Sequence, residues 1–168
     1  MKQAKKVLFI GGIKSGKSIN AQNYILKNSN SKPLYLATTE FIDEGMVERI
    51  NEHKKNRYDN FTTVEEPLKL LHVLMQTKES VLVECVSMWI NNMLYHGFKF
   101  DDMRCEIEAL LELDRTIVFV LNDVGSGVIA DNALAREFVD ISGKLSQIIA
   151  KKCDEVYHTI AGISTRIK

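Results

Sequence analysis

What is scarce in this 168-residue chain already removes several classes of function. An excess of one charge is missing, since 22 Lys and Arg stand against 22 Asp and Glu. A protein that binds nucleic acid or anionic membranes through its surface field carries a basic excess, so neither partner is expected. Cysteine is scarce: Cys85, Cys105 and Cys153 are odd in number and form no CxxC pair. That excludes a disulfide framework and zinc-ribbon spacing, and it is what a reduced, cytoplasmic protein carries. Long apolar runs are missing as well. The longest, Ile117 to Leu121, falls far short of the roughly 20 residues that cross a bilayer, so no membrane insertion is expected. Lys2, Lys5 and Lys6 precede only Val7-Leu8-Phe9-Ile10 before a glycine pair, too short for the core of a signal peptide. With two prolines, no internal repeat and no low-complexity tract, the chain offers no linker and reads as one domain over residues 1–168.

What is present is a series of short apolar runs: Val7-Leu8-Phe9-Ile10, Leu34-Tyr35-Leu36-Ala37, Val81-Leu82-Val83, Ile117 to Leu121 and Val156 to Ile160. Continuous rather than alternating apolarity marks strands covered on both faces, as in a parallel sheet. The longer segments between them can hold crossover helices. Ala133 to Lys152 keeps a helical period through Leu134, Phe138, Ile141, Leu145, Ile148 and Ile149. The class is therefore α/β, a mostly parallel sheet with helices on both faces. Ligands of such sheets bind beyond the carboxyl ends of the strands. The residues there are Gly11 to Ser18, Thr38-Thr39, Glu84, Asn122-Asp123 and Gly162.

Gly11-Gly12-Ile13-Lys14-Ser15-Gly16-Lys17-Ser18 matches G-x-x-x-x-G-K-[ST] in full. It follows the first run directly and opens a segment, Ser18 to Lys27, that can be helical. Glycines let backbone N–H groups converge on phosphate oxygens, and the helix N-terminus adds its dipole. Lys17 then bridges the β- and γ-phosphates of a nucleoside triphosphate, ATP or GTP, and the Ser18 hydroxyl ligates Mg²⁺. Glu84 ends the third run, where phosphate-loop proteins place an acid near the metal. Its extra methylene leaves a role in binding the nucleotide's sugar or base equally open.

Phe41 to Arg57 reads as an amphipathic helix with Ile42, Met46 and Ile50 on one stripe and His53 continuing it. Arg49, Lys54, Lys55 and Arg57 surround that histidine. Their charge disfavours protonation, holds the imidazole neutral and nucleophilic at neutral pH, and suits an incoming triphosphate. On spacing alone, a histidine on an apolar stripe is more often a hydrogen-bonded core residue. His72, in a leucine-rich helix, His96, before Gly97, and His158, in a strand, are explained by packing or turns.

Nearly the whole chain resembles the bifunctional adenosylcobinamide kinase / adenosylcobinamide-phosphate guanylyltransferase family of cobalamin nucleotide-loop assembly. The resemblance rests on the phosphate loop, Leu34-Tyr35-Leu36-Ala37-Thr38, Arg49-Ile50-x-x-His53-Lys54-x-x-Arg57 and Thr63-x-Glu65-x-Pro67. It continues through Val83-Glu84-Cys85 leading to Asn91-Asn92, Asn122-x-Val124-Gly125-x-Gly127, Asn132-x-x-Ala135-Arg136, and Ala161-Gly162-Ile163. The resemblance implies phosphorylation of the aminopropanol hydroxyl of adenosylcobinamide, then transfer of GMP from GTP to that phosphate with release of pyrophosphate. It implies that His53 attacks the α-phosphate and carries GMP covalently. It places nucleotide contacts on Gly11 to Ser18, Thr38, Lys54, Lys55, Asn56, Arg57, Glu65 and Glu84. It also implies the RecA-like branch of the P-loop NTPase fold and a homotrimer. Lys14 stands where that family commonly has Arg, keeping the charge without the bidentate fork. Two other readings use the same loop: a small-molecule kinase in which His53 has no covalent role, and a nucleotide-sensing binding protein.

Overall fold

The computed structural model describes residues 3–40 and 58–168. The expected histidine helix, and with it His53, Lys54, Lys55, Asn56 and Arg57, lies outside the described residues. In chain order the elements are β1 (Lys6–Gly11), α1 (Lys17–Asn28), β2 (Leu34–Ala37), a 3₁₀ turn (Tyr58–Asn60), β3 (Thr62–Glu65) and α2 (Leu70–Met75). There follow β4 (Val81–Glu84), α3 (Val86–Tyr95), α4 (Phe100–Glu112), β5 (Ile117–Asn122), α5 (Ala133–Lys152), β6 (Glu155–Ile160) and β7 (Ile163–Arg166). The seven strands of the described residues join one sheet in the order β3-β2-β4-β5-β1-β6-β7. Every pairing is parallel except the closing β6–β7 hairpin.

The five apolar runs are five of these strands, and their continuous apolarity has the expected cause. Alternate residues of each strand feed two cores. Leu8, Leu36, Val83, Phe119 and Val156 pack under α2 to α5. Val7, Phe9, Tyr35, Leu82, Val118 and Val120 pack against Ala21 and Ile25 of α1. Both faces of the sheet thus carry helices, four on one side and α1 on the other among the described residues. Periodicity alone passes over β3 and β7. They are edge strands whose residues are mostly exposed, so they lack the apolar run that a strand covered on both faces requires.

The α5 helix spans the residues its pattern indicates, but its first apolar position differs. Leu134 is 66% exposed, and burial along the helix is full only from Ile141 onward. The side chain of Asn132 accepts a hydrogen bond from Ala135 N at 2.8 Å, so Asn132-x-x-Ala135 is a helix N-cap. Arg136 beside it donates to the carbonyls of Ala130 and Asp131 at 3.0 and 2.8 Å, tying down the loop before the helix.

Phe119 sits at the centre of β5, the strand between β4 and β1, and is fully buried. Phe119→Ala removes a large side chain from between the buried Leu8 of β1 and Val83 of β4, which pair with it. It is expected to cost about 3–5 kcal/mol of stability, read as a lower midpoint in urea unfolding at unchanged slope.

Candidate nucleotide site

The phosphate loop leaves the carboxyl end of β1 at Gly11, between the ends of β5 and β6. Gly16 lies at φ +92°, the left-handed region that favours glycine, and Lys14 at φ +57°. Gly16 is also the N-cap of α1 and offers no side-chain cap, and no acidic residue occupies the first helical turn. The first-turn N–H groups and the helix dipole are thereby left to an anion at the loop. Lys17, almost buried, lays its ammonium against the Gly12 carbonyl at 3.1 Å. Ile13 is 69% exposed at the loop's crest, so it contributes backbone rather than side chain. Ser15 is buried beneath the loop.

Strand register builds the neighbouring wall. Glu65 of β3 pairs with Ala37 of β2, and Ala37 with Glu84 of β4. In-register residues of parallel strands point to the same face, so two carboxylates flank a small alanine at one level. Ala37 packs in the α1-side core, which sets that face as the side of Ser18. The Ser18 hydroxyl donates to Glu84 Oε1 at 2.7 Å. Hydroxyl and carboxylate are hard oxygen donors, the type that suits Mg²⁺ when phosphate oxygens and water complete its shell. Among the described residues no group of three or more His, Cys, Asp and Glu side chains could hold a metal ion by itself.

Thr38 holds this wall from behind. It is fully buried, and its hydroxyl donates to the Cys85 carbonyl at 2.8 Å and accepts from the Cys85 N–H at 3.0 Å. Its own N–H bonds the Glu84 carbonyl at 2.9 Å. The peptide bond between Glu84 and Cys85 is cis. Asn92 of α3, also fully buried, donates to the carbonyls of Thr38 at 2.6 Å and Pro67 at 3.1 Å. Residue type and motif single out Thr38, but only the three-dimensional contacts give Asn92 its part. Burial pushes the Cys85 thiol up, helped by the Glu84 carboxylate, which keeps the sulfur in its unreactive form.

Residues 7–167 match the family model described as cobinamide kinase / cobinamide phosphate guanyltransferase. The chain belongs to this family. The bifunctional adenosylcobalamin biosynthesis protein CobU of Escherichia coli is 34% identical to it, over 96% of this chain and 99% of that protein. The bifunctional adenosylcobalamin biosynthesis protein CobP of Pseudomonas aeruginosa is 35% identical over 96% of both chains. Among solved structures, the flagellar accessory protein FlaH from Methanocaldococcus jannaschii superposes with a TM-score of 0.52 at 13% identity, covering 99% of this chain and 77% of that one. A prototypical ATPase from the type III secretion system of pathogenic bacteria gives 0.54 at 12% identity, over 97% and 57%. The fold is thus of the RecA-like P-loop type.

For this member of the cobinamide kinase family, the described residues bring together the phosphate loop, Ser18, Glu84 and, across Ala37, Glu65. The histidine block falls between β2 and β3 in sequence. The last described residue before it, Glu40, is held by the His96 ring, with Nε2 2.8 Å from Oε1. His96, at the C-cap of α3 before Gly97, has the turn position expected of it and this further contact. No helix among the described residues is long and apolar enough to cross a membrane.

Proposed function

We propose that the protein phosphorylates cobinamide with a nucleoside triphosphate and then transfers GMP from GTP to the cobinamide phosphate, as a bifunctional enzyme of adenosylcobalamin biosynthesis. The observation that carries this reading is the complete phosphate loop with the Ser18–Glu84 bond at its mouth, in a chain of this family. In the first step, the aminopropanol hydroxyl of cobinamide attacks the γ-phosphorus. The bond to the β-phosphate oxygen breaks, the nucleoside diphosphate leaves, and the hydroxyl proton goes to solvent or a carboxylate. Loop N–H groups and Lys17 hold the charge of the transferring group. Mg²⁺, held by Ser18 with Glu84 beside it, supplies neutralisation of the phosphate charge when bound.

In the second step, the neutral imidazole of His53 attacks the α-phosphorus of GTP and pyrophosphate leaves. An oxygen of cobinamide phosphate then displaces the imidazole, giving GDP-cobinamide and restoring the histidine. Two easier displacements replace one direct attack between anions. Lys54, Lys55, Asn56 and Arg57 hold the phosphates during this exchange, and Glu65 and Glu84 bind the guanosine. Thr38 serves the nucleotide by holding the Glu84–Cys85 corner. The protein works in the cytoplasm, consistent with its free cysteines, and as the homotrimer that the family resemblance implies.

Incubation with adenosylcobinamide, GTP and Mg²⁺ is expected to yield the phosphate first, then GDP-cobinamide with one pyrophosphate per turnover. Phosphate that accumulates without GDP-cobinamide would reduce the protein to a kinase. No phosphate at all, with GTP bound, would favour a sensor.

A further inference from the structure

The β6–β7 hairpin, whose tip is Ala161-Gly162, is pressed against the phosphate loop. The hairpin turns on two residues between the paired Ile160 and Ile163, with Ala161 at φ +50° and Gly162 at φ +83°. The Gly162 N–H donates to the Ser15 carbonyl at 2.7 Å. A Cβ on Gly16 would stand 2.9 Å from the Gly162 Cα, and one on Gly11 would stand 2.4 Å from the Thr159 carbonyl oxygen. Glycine at 11 and 16 is therefore required by the hairpin's approach as well as by any phosphate. Asn20, one turn into α1, closes the assembly. Its amide donates to the Gly162 carbonyl at 3.0 Å and to Ser164 Oγ at 2.8 Å, and Ser164 Oγ lies 2.8 Å from Thr159 Oγ1.

In a planar trans peptide the C=O and the N–H point in opposite directions. The Ser15 carbonyl and the Gly16 N–H belong to one peptide unit. With the carbonyl held by Gly162 on the hairpin side, the Gly16 N–H is turned away from the hairpin, toward the side on which the loop takes its anion. We propose that the β6–β7 hairpin sets the anion-binding shape of the phosphate loop, with Asn20 as the positioning residue that locks the two together. This rests on the triphosphate reading of the loop and adds a determinant that the loop motif does not contain.

The test is calorimetric titration of the full chain with GTP and, separately, GMP, in the presence of Mg²⁺. Asn20→Ala removes both amide bonds and is expected to weaken GTP binding by about tenfold, since two hydrogen bonds of ordinary strength are lost. GMP, which lacks the β- and γ-phosphates, is expected to bind as before. Asn20→Gln keeps an amide donor and is expected to recover part of the loss. Hydrogen exchange gives a second readout: the Gly162 amide is expected to exchange faster in Asn20→Ala than in the parent. Should Asn20→Ala not fold, Ser164→Ala keeps the Asn20–Gly162 bond, removes the two bonds of the Ser164 hydroxyl to Asn20 and Thr159, and is expected to shift GTP binding in the same direction.

Unchanged GTP affinity, or GTP and GMP affinities falling together, overturns the proposal. If GTP binding is lost in Lys17→Ala but kept in Asn20→Ala, this proposal alone fails. If the parent chain binds no GTP, the phosphate-loop reading fails with it.

Discussion

Lys17→Ala is expected to lower GTP affinity about a hundredfold or more and to remove the kinase step, with little change in folding stability. Lys17 is almost buried and its ammonium lies 3.1 Å from the Gly12 carbonyl, held at the loop rather than extended into solvent. Truncating one partner of a desolvated charge pair costs about 2–5 kcal/mol of binding, which sets the size of the loss. Rate falls further, because negative charge develops on the leaving diphosphate as the bond to the γ-phosphorus breaks, and it loses its fixed counter-charge. The fold has no comparable stake, since Lys17 opens α1 and belongs to neither apolar core. Calorimetry with GTP, together with a urea unfolding curve, separates the two effects. A GTP affinity within about threefold of the parent would contradict the role given to the loop.

His53→Ala is expected to abolish GMP transfer, by at least about a thousandfold, while phosphorylation of cobinamide survives. No other group in the sequence block Arg49 to Arg57 offers a neutral nucleophile: its remaining candidates are carboxylates, amides or cations. The phosphate loop, by contrast, needs no histidine for the γ-phosphoryl step. With GTP labelled at the α-phosphate, the parent chain is expected to give an acid-labile, alkali-stable labelled band on a denaturing gel. The variant is expected to give none. Equal loss of both activities would show that His53 supports the fold or a shared nucleotide pocket instead. A labelled band that persists in the variant would move the nucleophile elsewhere.

Lys17 and His53 differ in what supports them. Lys17 lies among the described residues, with its ammonium 3.1 Å from the Gly12 carbonyl of the phosphate loop. His53 lies outside the described residues, so its role rests on its neighbours in sequence and on the family. Cationic company at Arg49, Lys54, Lys55 and Arg57 distinguishes it from His72, His96 and His158. Of these, His96 pairs with Glu40 at the end of α3, and His72 lies beside Gln76 one turn along α2. Neither contact reaches the phosphate loop.

Local patterns were enough for the five covered strands, the strand–loop–helix around Gly11 to Ser18 and the long α5 helix. Each is encoded by a period or a motif within about twenty consecutive residues, the range over which backbone geometry repeats its demands. The same patterns passed over β3 and β7, because an edge strand has no second buried face to leave an apolar run. They also ran α5's buried stripe through Leu134, because a helical period records one face of a helix and not which of its turns has a core beneath it.

An α/β phosphate-loop protein, the residues of its loop and its family are all readable from the order of amino acids. How those residues are held is readable only from the folded chain. Ser18 reaches Glu84 across 66 positions of chain, and Asn20 reaches Gly162 across 142. Glu65 and Glu84 come to one level only because β3, β2 and β4 pair in a particular register around Ala37. Thr38 is buried only because β2 lies beside β4. Register and strand order are set by packing of the whole core, a cooperative property with no local period, so no window of sequence carries them.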